Sequence, residues 1–511
     1  MSVQFVKETV FSCQMLRAVP QQAAVEAEVL LPGGLRDEVR ILYTDATVVP
    51  VVCEGTGNRV TVSGHVDFKA LYAQGDLTRV KVAEVSQDFS RTLNAESSCE
   101  NVRFTPACEV TQIASRVFNG RLLLKADVNI YAEAVVSQEV SVVSSVKEKD
   151  AEALEKYLKI RRVVGEGIAQ GLIRGEFEIS EALNASEVLF AGAQVRVEDI
   201  VGGADGRAAV TGNIDLSVCF SSTIPGRPVV VSTHAMPFEQ TVTLSGEIGD
   251  LMSAAAFVTD AAAALEGDET GKILRAEVGL QVKLEAIGEQ EISLLTDVFS
   301  TDAGEITAED EPVSFCTALL NEQSAESGRV QVMLPEGAPR IKTILAAFAK
   351  PVLAGAKEMG GRLNVDLLLR TTLLYMTEDS GIPLSYTCEE PMRLSFPCEA
   401  QAEDMLSLTA SHVEASAIAG DRAEIRCVVG LCASGVRCEK VTVLKNVARE
   451  ENSEPLRCLA MYVTQPGERL WDVMKRYRLP ETSVKSFNEH ISAYAPESVL
   501  PLSTRLIVYK R

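Results

Sequence analysis

Three stretches of the chain read alike, and self-similarity at a long fixed period constrains a fold more than any local motif. They are Val62-Ser-Gly-His-Val-Asp-Phe-Lys-Ala-Leu-Tyr72, Val210-Thr-Gly-Asn-Ile-Asp-Leu-Ser-Val-Cys-Phe220 and Val365-Asp-Leu-Leu-Leu-Arg-Thr-Thr-Leu-Leu-Tyr375, ending 148 and 155 residues apart. A second anchor follows each: Asp88-Phe89-Ser90, Pro237-Phe238-Glu239 and Pro391-Met392-Arg393. A third is Ala126-Asp-Val-Asn-Ile130, Ala276-Glu-Val-Gly-Leu280 and Cys427-Val-Val-Gly-Leu431, and Leu31-Pro32, Leu183-Asn184 and Leu334-Pro335 lie upstream. Four anchors in one order at near-constant spacing predict one unit of about 150 residues written three times, over 1–158, 159–309 and 310–455, with a separate tail over 458–511.

The anchors alternate as strands do. Val60, Val62, Val66 and Phe68 share parity, which predicts a strand with one buried face, and Gly64 at the same parity predicts a close approach or a bulge. Leu122 to Ala132 and Ile273 to Leu284 are rich in β-formers, and turn signals such as Gly55-Thr-Gly-Asn58, Gly202-Gly-Ala-Asp-Gly206 and Gly420-Asp421 punctuate the strands. Each unit is therefore expected to be two antiparallel sub-sheets packed as a sandwich or an open barrel, and the protein to be mainly β. Asp150 to Leu158 is a candidate linking helix, and the acidic stretches 305–311 and 449–455 mark the other boundaries.

Chemistry is harder to find. The net charge of −22 repels phosphate backbones and argues against nucleic acid as a partner. No run of eighteen apolar residues occurs, so no membrane span is expected. The first residues carry no basic-then-apolar leader, and the expected location is the cytoplasm. The twelve cysteines form no CxxC pair; even the tightest group, Cys427, Cys432 and Cys438, lacks a clustered histidine, which favours reduced thiols used as small apolar groups over a metal site. Gly165-Glu-Gly167 with Gly171 lacks the spacing of a dinucleotide loop and reads as a turn. The P-loop-like run 267–273 has too few residues between its glycines and Ile273 where Ser or Thr would bind magnesium, so it reads as a hairpin. His65, His234, His412 and His490 sit in no nucleophile motif. The expectation is a binding and assembly protein, not an enzyme, with no catalytic residue, no metal and no cofactor.

The tail carries the sharpest signal. Met461-Tyr-Val-Thr464 reads as a strand and Gln465-Pro-Gly467 as a turn; Leu470, Val473, Met474 and Tyr477 share one helical face. Pro480 can open a second helix carrying Val484 and Phe487 inward, and Arg505 to Tyr509 is a closing strand. This βααβ order, with Tyr462-Val463, Gln465-Pro466-Gly467, Leu470-Trp471, Lys475-Arg476-Tyr477, Asn488 and Leu506-Ile507-Val508, resembles the LysM domain, a module that commonly binds N-acetylglucosamine-containing glycans such as peptidoglycan. The resemblance implies a partner- or glycan-binding rim at Gln465, Pro466, Gly467, Glu468, Arg469, Asn488, Leu502 and Ser503, over a core of Leu470, Trp471, Tyr477, Leu506 and Val508. The chain departs from the pattern where the family has Asp-Thr or Asp-Ser (here Glu468-Arg469), a helix-ending glycine (here Arg478) and Ile-x-Pro-Gly (here Leu500-Pro-Leu-Ser503). A sugar lies flat on backbone at such loops, so these side chains argue against glycan binding.

The tail carries eight basic and five acidic residues, a basic knob on a body of net charge −25, which suits an acidic protein surface. The repeats, with openings Leu31-Pro-Gly-Gly34 and Leu334-Pro-Glu-Gly337 and the run Ile160-Arg-Arg-Val-Val-Gly-Glu-Gly167, resemble SPOCS domains, and the whole is similar to the SipL-like family of spore-coat morphogenesis proteins. That resemblance implies a scaffold in the mother-cell cytoplasm at the forespore surface, whose LysM domain docks the coat ATPase called stage IV sporulation protein A. The alternative it leaves open is a peptidoglycan-binding protein of the wall or spore cortex.

Overall fold

The computed structural model describes residues 4–32, 38–75, 77–98, 102–203, 205–268, 271–302, 305–377, 381–450 and 458–510. Gly33 and Gly34, Cys99, Ala204, Glu269 and Thr270, and most of the boundary stretch 449–455 lie outside them. The protein is mainly β, built from antiparallel sheets, and among the described residues none of the sheets closes into a barrel.

The first strands are β1 (Phe5–Arg17), β2 (Gln21–Leu30), β3 (Val39–Thr56), β4 (Arg59–Gln74), β5 (Val80–Asn94), β6 (Thr105–Phe118) and β7 (Arg121–Val146). They form a meander β3-β4-β5 and a second sheet in which β7 pairs with β1, β2 and β6. Next come β8 (Ala151–Ile179), β9 (Ala185–Gly202), β10 (Arg207–Ser222), β11 (Val229–Thr243), β12 (Ser245–Gly246), β13 (Leu251–Asp268) and β14 (Gly271–Ser300). Here β9-β10-β11 is the meander, and β14 lies between β8 and β13. The last set is β15 (Glu305–Met333), β16 (Ile341–Glu358), β17 (Leu363–Thr377), β18 (Pro383–Phe396), β19 (Met405–Ala419) and β20 (Arg422–Glu450), with meander β16-β17-β18 and β20 between β15 and β19. The strand order thus recurs, except that β1 and β2 do the work of one long strand: the chain breaks at Ala18-Val19-Pro20, where proline has no N–H to give the ladder.

In each set the two sheets share one apolar core. In the first, Val60, Val62, Val66 and Phe68 of β4 meet Leu122, Leu124, Ala126 and Val128 of β7, all buried as their alternation predicts. At Gly64 a Cβ would lie 2.2 Å from the Val49 carbonyl oxygen, and β3 bulges beside it, between Pro50 and Val52. Both expectations for that glycine hold.

Two local readings are corrected. Asp150 to Leu158 is not a helix: β8 begins at Ala151 and pairs with β14 down to Ala151–Ser300. Alternation from Leu154 through Leu158 to Ile160 buries one strand face, and partner strands decide what a helix-compatible composition left open. Gly165 to Gly171 is not a turn but the middle of β8, where Cβ atoms at Gly165 and Gly167 would strike the carbonyl oxygens of Glu247 and Thr243 at 2.5 and 2.3 Å. These glycines let the end of the β11–β12 segment cross close over β8. Residues 158 and 309, the expected unit ends, fall inside β8 and β15. The run 267–273 does join two paired strands, with Asp268 opposite Gly271.

The long hairpins β7, β14 and β20 extend past their sandwiches and converge. Each skips one residue in its register, at Ser144, Thr296 and Lys445. Such a bulge lets two successive residues point inward: Val142 and Val143, Leu294 and Leu295, Val443 and Leu444 are all buried. With Val10, Ile160 and Phe315 they form a three-way apolar hub. A second junction joins the three meanders, where Tyr43, Phe190 and Phe348 meet with ring centroids 4.0–6.3 Å apart. Polar links run round the ring as well: Lys69 Nζ donates to the Ala191 carbonyl at 2.9 Å, Gln194 to that of Ala410, and Lys350 Nζ to that of Ala46 at 2.9 Å.

Candidate docking site on the C-terminal module

The tail folds as β21 (Cys458–Val463), α1 (Leu470–Tyr477), α2 (Glu481–Ser486) and β22 (Arg505–Lys510), with β21 and β22 antiparallel. Asp472 begins α1 by accepting the Arg469 backbone N–H at 2.9 Å, a carboxylate satisfying an otherwise open helix N–H. Burial alone would raise that carboxyl; the Arg469 guanidinium, 2.8 Å away, outweighs it and holds Asp472 below the usual range. Arg478 ends α1 in the left-handed region at φ 51°.

The residues expected at the rim divide into two kinds. Glu468 and Asn488 are buried and structural. Glu468 accepts the Tyr462 hydroxyl at 2.6 Å and the Gln465 N–H at 2.9 Å, and pairs with Arg476 at 3.0 Å. Asn488 donates to the Val484 carbonyl at 2.7 Å and accepts the Ile507 N–H at 2.7 Å, tying α2 to β22. Gln465, Pro466, Gly467, Leu502 and Ser503 face solvent, and Arg469 is half-buried against Asp472. The two loops are stitched to each other: Leu500 N–H donates to the Glu468 carbonyl at 2.9 Å, Ser503 N–H to that of Thr464 at 3.3 Å, and Thr464 Oγ1 to that of Pro501 at 2.8 Å. Ser503, like Arg478, adopts positive φ (62°), the conformation glycine takes most readily. Of the expected core, Leu470, Trp471, Leu506 and Val508 are fully buried and Tyr477 partly. Phe487 is corrected: it turns outward and meets Tyr509 edge-on, and α2 begins after Pro480 instead of at it.

Two features escaped the sequence reading. The first is an apolar strip on the outer face of the β21–β22 sheet. Leu459 (76% exposed) and Met461 (71%) stand beside Val463 and Ile507, with Arg505 opposite Val463. Alternation across a two-stranded sheet predicts it, because helices cover only one face. The second is a seat for the module on the body. Trp471 Nε1 donates to Asp297 at 2.8 Å, Lys475 Nζ reaches the same carboxylate at 2.7 Å, and the indole packs on Phe299 at 5.0 Å. Lys510 Nζ donates to the Thr301 carbonyl at 2.6 Å, and Leu154 joins the module's core. Asp297 and Phe299 follow the Thr296 bulge, where the other hairpins carry Ser145 and Lys147, or Asn446 and Ala448. Part of the tail's positive charge is therefore spent on the body. The departures of Asp297 and Phe299 from the repeat were the available signal.

Outside the module, among the described residues no group of three or more His, Cys, Asp or Glu side chains is arranged to hold a metal ion. Among the described residues, no helix is long and apolar enough to cross a membrane. The chain matches no protein-family model, no curated protein and no solved structure with which it was compared.

Proposed function

We propose that the chain is a non-enzymatic assembly adaptor: three copies of one β unit, divided near residues 150 and 304, carrying a LysM-type module that docks a protein. The observation that carries this reading is the module's surface. Its loops are closed on each other by hydrogen bonds, with side chains at Arg469 and Ser503 where a flat sugar needs bare backbone, while an apolar strip with Arg505 lies open on the opposite sheet face. An exposed apolar strip bordered by positive charge suits a protein partner with an acidic rim.

By its resemblance to SipL-like proteins, the proposed setting is the mother-cell cytoplasm at the forespore surface, and the proposed partner is the stage IV sporulation protein A-like coat ATPase. The test uses the full-length chain and a Leu459→Glu/Met461→Glu variant, assayed for co-purification with that purified ATPase and for sedimentation with purified sacculi. The adaptor reading expects ATPase binding that the variant loses at least tenfold, and no sedimentation. Sedimentation without ATPase binding would establish the second reading, a peptidoglycan-binding protein, which the βααβ order of the module favours.

A further inference from the structure

We propose that Cys13 and Cys438 are a disulfide-forming pair that fastens the first set of strands to the third. The two residues are 425 positions apart, yet their Sγ atoms lie 3.6 Å apart at the hub. Cys13 on β1 is buried; Cys438 on β20 is exposed to solvent. Cys316 on β15 is paired directly opposite Cys438.

The recurring strand register gives this place its meaning. In the second set the equivalent cross-strand pair is Arg161 and Glu289, joined at 2.8 Å by an ion pair. In the third set it is Cys316 and Cys438, and in the first Cys13 lies opposite Ser137. One ring of equivalent positions thus carries an ionic link at one site and three thiols at the others. Thiols that already touch need only close to about 2.05 Å to bond, and the contact joins strands that no ladder connects.

The chemistry balances with a small-molecule disulfide as oxidant. The solvent-facing Cys438 loses its proton to solvent and its thiolate attacks glutathione disulfide: the glutathione S–S bond breaks, a Cys438–glutathione disulfide forms, and one glutathione leaves. Cys13 then loses its proton to solvent and attacks the Cys438 sulfur, expelling the second glutathione. Two protein thiols are oxidised to one disulfide, and one glutathione disulfide is reduced to two thiols. A hydrogen bond with Cys316, aided by burial, pushes the Cys13 thiol up to about 12, and the contact with Cys13 together with burial pushes Cys438 higher still, so both steps quicken as pH rises.

The full-length native chain is incubated with glutathione disulfide at pH 7 and pH 9, digested without reductant and analysed by mass spectrometry. A linked peptide pair containing Cys13 and Cys438 is expected, formed faster at pH 9, with quicker migration on a non-reducing gel and a raised unfolding midpoint that dithiothreitol reverses. Cys438→Ser abolishes all three effects and Cys316→Ser leaves them. The wild-type digest stands even where a variant fails to fold. A dominant Cys316–Cys438 link, mixed glutathione adducts alone, or a Cys13–Cys438 link that forms only in denaturant would each overturn the proposal.

Discussion

Trp471 is the chain's only tryptophan and is 1% exposed, held between its own module and the body by Asp297 and Phe299. Asp297→Ala leaves a buried indole N–H without its acceptor and Lys475 without its partner, at a cost of about 1–3 kcal/mol in seating the module. Its expected signature is direct: red-shifted tryptophan emission and easier acrylamide quenching, with the far-UV circular dichroism unchanged. Ser503 offers the opposite test. A side chain at φ 62° costs about 1–2 kcal/mol, of which glycine's chain entropy returns part, so Ser503→Gly is expected to raise the unfolding midpoint modestly. If the same variant weakens ATPase binding, the serine is kept for its contact. Of the module's core, Leu470 and Tyr477 were legible from the helical period, and Trp471, Leu506 and Val508 from the resemblance to the LysM pattern. The seat was not, because Asp297 is an ordinary acidic residue until the fold brings it to Trp471.

At the scale of elements, a 30-residue strand such as β14 spans roughly 100 Å, longer than one sandwich can cover. Its first half buries Leu274 to Ala286 at even positions in the sandwich, and its second half buries Ile292, Leu294 and Leu295 in the hub. The Thr296 bulge resets this second pattern, and Val298 beyond it is buried in the hub as well. Leu294→Ala is expected to cost about 2–5 kcal/mol, since neighbours from three hairpins cannot all collapse into the gap; chemical denaturation checks it. Glycine placement follows the same logic. A Cβ on Gly212 would lie 2.7 Å from the ring of Phe238, its cross-strand partner, and Gly64 is likewise paired with Phe89, whereas the third meander pairs Leu367 with Met392. Bulk removed from one strand is supplied by the next. The strands and their buried faces were legible from alternation. The lost linking helix shows the limit: Asp150 to Leu158 has helix-forming composition, and only the β14 ladder makes it strand.

For the whole molecule, Asp150 sits where the sets meet, accepting Ser300 Oγ at 2.8 Å and Arg449 Nη2 at 2.6 Å. Burial alone would raise its carboxyl; those two partners outweigh it and hold it below the ordinary range. A depressed folded value means its contribution is complete above about pH 3.9 and is lost as pH falls through the folded value. Asp150→Asn is therefore expected to lower stability at pH 6 and to flatten its fall below about pH 4, read by urea titration. The spacing of the recurring anchors was legible in the sequence; the closure of the strand sets into a ring was not, because no periodicity records which ends touch. That closure also sets an order of events in time. Val10, near the start of the chain, packs in the same hub as Val441 and Val443, near its end. At ribosomal speeds the interval between them is on the order of tens of seconds. Throughout it the β1 strand waits with an unmet apolar face, so a nascent chain of this kind is most exposed to misassociation until Val441 and Val443 emerge.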